Sequence, residues 1–91
     1  MKKYYRYAYN ALEKMGVPVF NEYSNGEPIE GGRFKISAEY ARSFEFLDYE
    51  LAGRTIEGFD DFGVSDKVNE VLSKYGLYGE WENGGCLAVF D

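Results

Sequence analysis

The side chains best placed to do chemistry are carboxylates gathered in one stretch. Between Phe44 and Asp61 lie Glu45, Asp48, Glu50, Glu57, Asp60 and Asp61, with Arg54 as the only cation, so six negatives and one positive give a local net charge of -5. Oxygen donors of this kind suit a hard divalent cation. The run Asp60-Asp61-Phe62-Gly63-Val64-Ser65-Asp66, however, lacks the alternating ligands and distal Glu of an EF-hand loop, and no metal site is expected. Two carboxylates facing each other across a sugar-sized cleft would serve glycoside hydrolysis. In a chain of 91 residues with sixteen Asp and Glu, nothing singles out such a pair. The remaining chemistry is recognition, in which carboxylates meet a basic protein surface. The bland alternative is a solvated loop and strand edge whose like charges block edge-to-edge pairing.

Other reactive residue types are scarce. The chain has no histidine, which removes the usual general base near neutral pH and the commonest metal ligand. Cys86 is the only cysteine and opens the apolar run Cys86-Leu87-Ala88-Val89-Phe90. With no cationic neighbour to stabilise a thiolate, it reads as an inert, buried structural thiol. Gly31-Gly32 and Gly84-Gly85 lack the spacing of phosphate-binding loops and read as turn glycines. No catalytic residue and no cofactor is therefore expected, and the chain is not read as an enzyme.

Charge and composition narrow the partners. A net charge of -6 opposes direct binding to nucleic acid or to an anionic membrane, both of which need Lys and Arg. The first fourteen residues run the other way, with Lys2, Lys3, Arg6 and Lys14 against Glu13. The aromatic share is 19%, with nine Tyr, seven Phe and Trp81, and Tyr serves cores and interfaces alike. A hydrophobic content of 45% fits a single globular domain over residues 1–91. A lone cysteine fits a reducing cytoplasm. No apolar run approaches the ~20 residues that span a bilayer, and Met1-Lys2-Lys3-Tyr4-Tyr5-Arg6 does not lead into a signal peptide.

The elements that must position these residues follow from periodicity. Tyr5, Ala8, Leu12 and Met15 share one face of a helix from about Lys3 to Met15, closed by Gly16, with Val17 folding back onto Leu12. Val68, Val71, Leu72 and Tyr75 define a second helix, with Ser65 as N-cap, Gly76 as terminator and Leu77 folding back onto Leu72. Tyr4, Tyr5, Tyr7 and Tyr9 cannot all face one core, since steps of about 100° spread them around the axis. Val19-Phe20 to Tyr23 leads as a strand into the turn Ser24-Asn25-Gly26. Phe34, Ile36, Ala38 and Tyr40 alternate with Arg33, Lys35, Ser37 and Glu39 as a half-buried strand, with a short helix over residues 37–42 as the rival. Phe44 to Tyr49 reads as a further strand, residues 53–63 as a Gly-rich acidic surface loop, and Leu77–Glu82 with Cys86–Phe90 as a hairpin. The expected class is α+β, a small antiparallel sheet of about four to five strands with two helices on one face, in the order α-β-β-β-α-β-β. Residues 11–17 and 71–77 also align at a 60-residue spacing (Leu12 with Leu72, Gly16 with Gly76). This is either an internal duplication of a helix-plus-hairpin unit or one helix-stop device used twice.

In composition, though not in any motif, the chain resembles the small acidic inhibitors that phages and mobile elements direct against restriction or CRISPR nucleases. The resemblance implies a non-enzymatic protein-binding inhibitor, a nucleic-acid mimic whose partner is a protein with a basic surface. The expected contact residues are Glu45, Asp48, Glu50, Glu57, Asp60 and Asp61, with Tyr49 and Phe59 as anchors. The alternative is an accessory interaction domain that self-associates, as a homodimer through an open sheet edge, with acidity serving only solubility.

Overall fold

The computed structural model describes residues 3–21, 23–24, 27–28 and 33–91. Helix α1 spans Lys3–Lys14 and helix α2 spans Asp66–Lys74. Four strands, β1 (Val19–Asn21), β4 (Phe34–Ser37), β5 (Tyr78–Asn83) and β6 (Cys86–Phe90), form an antiparallel sheet in the order β1-β4-β6-β5. The short strands β2 (Tyr23–Ser24) and β3 (Glu27–Pro28) make a separate two-stranded ribbon between β1 and β4. The class is α+β, as the periodicities imply.

Both helices stop by the same hydrogen bonds. Val17 N–H donates to Leu12 C=O at 3.0 Å, and Leu77 N–H donates to Leu72 C=O at 2.8 Å. Gly16 and Gly76, at φ +88° and +71°, supply the left-handed turn that these bonds require. At the other end of α2 the Ser65 hydroxyl accepts from Val68 N–H at 3.3 Å.

The core lies between the helices and one face of the sheet. Tyr5, Ala8 and Leu12 from α1 and Val68 and Leu72 from α2 are buried with Phe34, Ile36, Leu87 and Val89. The period-2 alternation of β4 and β6 puts these four sheet residues on one face. The α1 tyrosines divide as helical geometry demands. Tyr5 is buried edge-on to Phe34, Tyr9 is half-buried against the same ring, Tyr7 leans on Tyr75, the residue that ends α2, and Tyr4 is exposed. Burial, with Asp91 beside the Tyr5 hydroxyl, raises the Tyr5 pKa above its ordinary value.

The 60-residue alignment extends into three dimensions. Each half is a helix followed by an antiparallel hairpin, and the hairpins meet at β4 and β6. Val19 pairs with Ile36 in the first half as Gly79 pairs with Val89 in the second. These matches carry Lys35 onto Ala88, and Lys35 and Ala88 are themselves cross-strand partners. The sheet therefore has an approximate two-fold axis through that pair. Both helix stops thus lead into strand pairs of matching register.

Two sequence-based expectations need correction. The strand expected to run through Tyr40 ends at Ser37, and residues 38–42 form bends and a turn rather than the rival helix over 37–42. Here side chains compete for the backbone: the Ser37 hydroxyl accepts from Glu39 N–H at 3.2 Å and the Ser43 hydroxyl accepts from Tyr40 N–H at 3.1 Å. Phe44–Tyr49 is not a strand. It contains the 3-10 turn Ser43–Glu45, a single bridge from Leu47 to Val64, and the start of a second 3-10 turn, Tyr49–Leu51. Asp48 accepts from Glu50 N–H at 3.0 Å and Arg42 pairs with Glu45 at 2.7 Å, both contacts that favour a tight helical turn over an extended chain.

Candidate functional site

The connection of residues 38–65 between β4 and α2 has no counterpart in the first half of the chain, and it carries the acidic stretch. It is irregular but internally bonded. Asp48 N–H donates to Gly63 C=O at 2.8 Å, Gly53 N–H to Asp61 C=O at 2.7 Å, and Ser65 N–H to Phe46 C=O at 2.8 Å. Gly63 sits at φ +86°, and a Cβ there would run into the Asp48 carbonyl, so this crossing admits only glycine.

The expected contact residues separate into two groups. Asp60 is half-buried and fully engaged: one carboxylate oxygen accepts from Phe62 N–H at 2.8 Å and Val64 N–H at 3.0 Å, and the other from the Asn69 amide at 2.8 Å. It therefore ties the loop to α2. Asp48 caps the second 3-10 turn. Glu45 is bound to Arg42, whose hydrogen bond holds its carboxyl below the ordinary carboxylate value. Phe59 is half-buried and bridges to Ser65. Glu50, Glu57 and Asp61 form the second group. They are exposed, and among the described residues their carboxylates bond no other side chain. Tyr49 is half exposed and stands edge-on to Trp81, with ring centroids 5.3 Å apart.

Several exposed side chains here escape a periodicity-based reading. Phe62 is 67% exposed, Tyr40 69% and Phe44 61%, all on the same connection, and Ile56 is also exposed. Tyr40 and Phe44 sit in alternating patterns that suit strands and are exposed because the chain leaves the sheet at Ser37, whereas Phe62 and Ile56 lie where no regular period assigns a face. The composition alone held a hint, since aromatic residues recur through a stretch rich in carboxylates.

A groove of about 600 Å³ runs beside this connection. Tyr78, Gly79, Glu80 and Trp81 of β5 line one side, and Tyr49, Ala52, Asp60, Phe62 and Asn69 face them. Trp81 holds the two sides together, its indole N–H donating to Phe62 C=O at 2.7 Å. Gly79 has no room for a side chain on the sheet, because a Cβ would lie 2.7 Å from Leu87 Cδ2. Among the described residues the groove lining is therefore aromatic, carries two carboxylates and has neither Lys nor Arg.

Among the described residues no three His, Cys, Asp or Glu side chains cluster as metal ligands, and no helix is long and apolar enough to cross a membrane. Cys86 is half-buried on β6. No family model, curated protein or solved structure matches this chain.

Proposed function

We propose that this protein is a non-enzymatic inhibitor that binds a partner with a basic surface through the connection of residues 38–65. One observation carries the reading. Exposed Tyr40, Phe44, Tyr49 and Phe62 occur on the same segment as Glu50, Glu57 and Asp61, whose carboxylates bond no other side chain among the described residues. Aromatic rings supply desolvated contact, and carboxylates supply attraction and orientation. Carboxylates standing where a partner expects phosphates would make the protein a nucleic-acid mimic. That suits a nucleic-acid-binding enzyme as target, in the manner of phage and mobile-element proteins that block restriction or CRISPR nucleases. The single thiol fits action in a reducing cytoplasm.

The test is capture from host lysate at low and high salt with identification by mass spectrometry, followed by surface plasmon resonance on the captured protein. Glu50, Glu57 and Asp61 reversed to Lys should slow association by tenfold or more and flatten the salt response, with the fold retained. A triple variant that associates as fast as wild type, with the same salt response, would remove this segment as the binding surface.

A further inference from the structure

Strand β5 is an edge of the sheet, and six residues make it longer than the opposite edge β1, which has three. Alternate residues of an edge strand turn their N–H and C=O groups away from their neighbour. No backbone hydrogen bond joins Tyr78–Asn83 to any element but β6 among the described residues. The groove described above runs along Tyr78–Trp81, so the open backbone and the aromatic trough share one site. The register shift between Trp81 and Asn83 ends regular pairing there, which leaves Tyr78–Trp81 as the regular part of the edge. Four residues of extended chain span about 13 Å.

The charges select the occupant. Among the described residues the groove lining holds Asp60 and Glu80 and no cation, while Glu82, further along the strand, is already paired with Lys35. A second copy of this chain pairing β5 to β5 would bring the exposed Glu80 near its own kind, and like charges opposite one another across strands are destabilising. A strand bearing Lys or Arg meets the opposite situation. Its cation can lie over the Tyr49, Phe62 or Trp81 ring while the carboxylates balance it.

We infer that β5 receives an extended, basic segment of a partner protein, which adds as a fifth strand along Tyr78–Trp81 and places a Lys or Arg side chain in the groove against Tyr49, Phe62 and Trp81. The inference rests on the binding reading above and deepens it. Partner backbone supplies the hydrogen bonds, and its alternate side chains enter the groove.

The experiment uses the intact protein and three labelled eight-residue peptides. The first alternates Val with Arg and Lys, the second carries Glu in place of the cations, and the third is the basic peptide with Pro at two central positions. Fluorescence anisotropy reads affinity, and emission from Trp81, the only tryptophan, reads occupancy of the groove. Hydrogen exchange reads protection of β5 amides. The expected result is that the basic peptide binds at least tenfold more tightly than both others, shifts Trp81 emission and protects β5 amides. Glu80→Lys, an exposed change, should weaken it at least fivefold. Equal binding of the basic and proline-containing peptides without β5 protection would overturn strand addition, and so would the absence of any response. A partner captured from lysate whose binding depends on Glu50, Glu57 and Asp61 but leaves β5 amides unprotected would also overturn it, while the broader reading survives.

Discussion

Asp60 and Asp61 are adjacent and identical in type, yet they differ in task. Asp60 accepts three hydrogen bonds, two from backbone N–H groups and one from Asn69 of α2. Asp61 is exposed, its backbone carbonyl accepts from Gly53 N–H, and its carboxylate bonds no side chain among the described residues. Removing a partner from half-buried donors costs about 1–3 kcal/mol, whereas surface substitutions usually stay within about 0.5 kcal/mol. Asp60→Ala should therefore lower the urea midpoint clearly, and Asp61→Ala should barely move it. Equal effects would mean that the Asp60 network does not hold the loop to α2. The contrast also decides which carboxylates are available to a partner, and it removes Asp60 from the residues to be charge-reversed.

The two helix ends of α2 differ in what they demand of a residue. Ser65 contributes one cap bond, and its loss to Ala costs about 1 kcal/mol. Gly76 stands at φ +71°, where a β-branched side chain is strained whatever the space around it. Gly76→Val should therefore destabilise the protein more than Ser65→Ala does, as read by urea denaturation. Equal small losses would show that the left-handed turn can relax. The segment from Phe44 to Tyr49 makes the complementary point. Its alternation of Phe44 and Phe46 with Glu45 and Leu47 suits a strand, but a strand needs a neighbour along its length. Only Leu47 finds one, in Val64, while Ser43, Asp48 and the Arg42–Glu45 pair hold the backbone in tight turns.

At the scale of the whole molecule, acidic residues outnumber basic ones and the net charge is -6. Among the described residues Lys35–Glu82 at 2.8 Å and Arg42–Glu45 at 2.7 Å are surface ion pairs. Solvent screens exposed pairs of this kind and they contribute little, so repulsion among the excess carboxylates should outweigh them. Screening tightens from about 10 Å at 0.1 M salt to about 3 Å at 1 M. The thermal midpoint should therefore rise as sodium chloride is added at constant pH. A fall would mean that surface ion pairs contribute more than the repulsion costs. Under the proposed function, the same asymmetry should make partner binding strongest at low salt.

Local signals were enough for the helices, for their stops and for the C-terminal hairpin, because capping bonds, left-handed glycines and amphipathic periods act within a few residues. Leu12 with Val17 and Leu72 with Leu77 needed no distant partner to be read. The sequence also determined the acidic character of residues 44–61. It could not say that β4 and β6 meet about a two-fold axis, that Phe44–Tyr49 lacks a strand neighbour, or that Asp60 is engaged while Asp61 is open. Nor could it place Trp81 against Tyr49 and Phe62 across a groove. Each of these depends on contacts between segments far apart in the chain, and only tertiary packing brings the partners together.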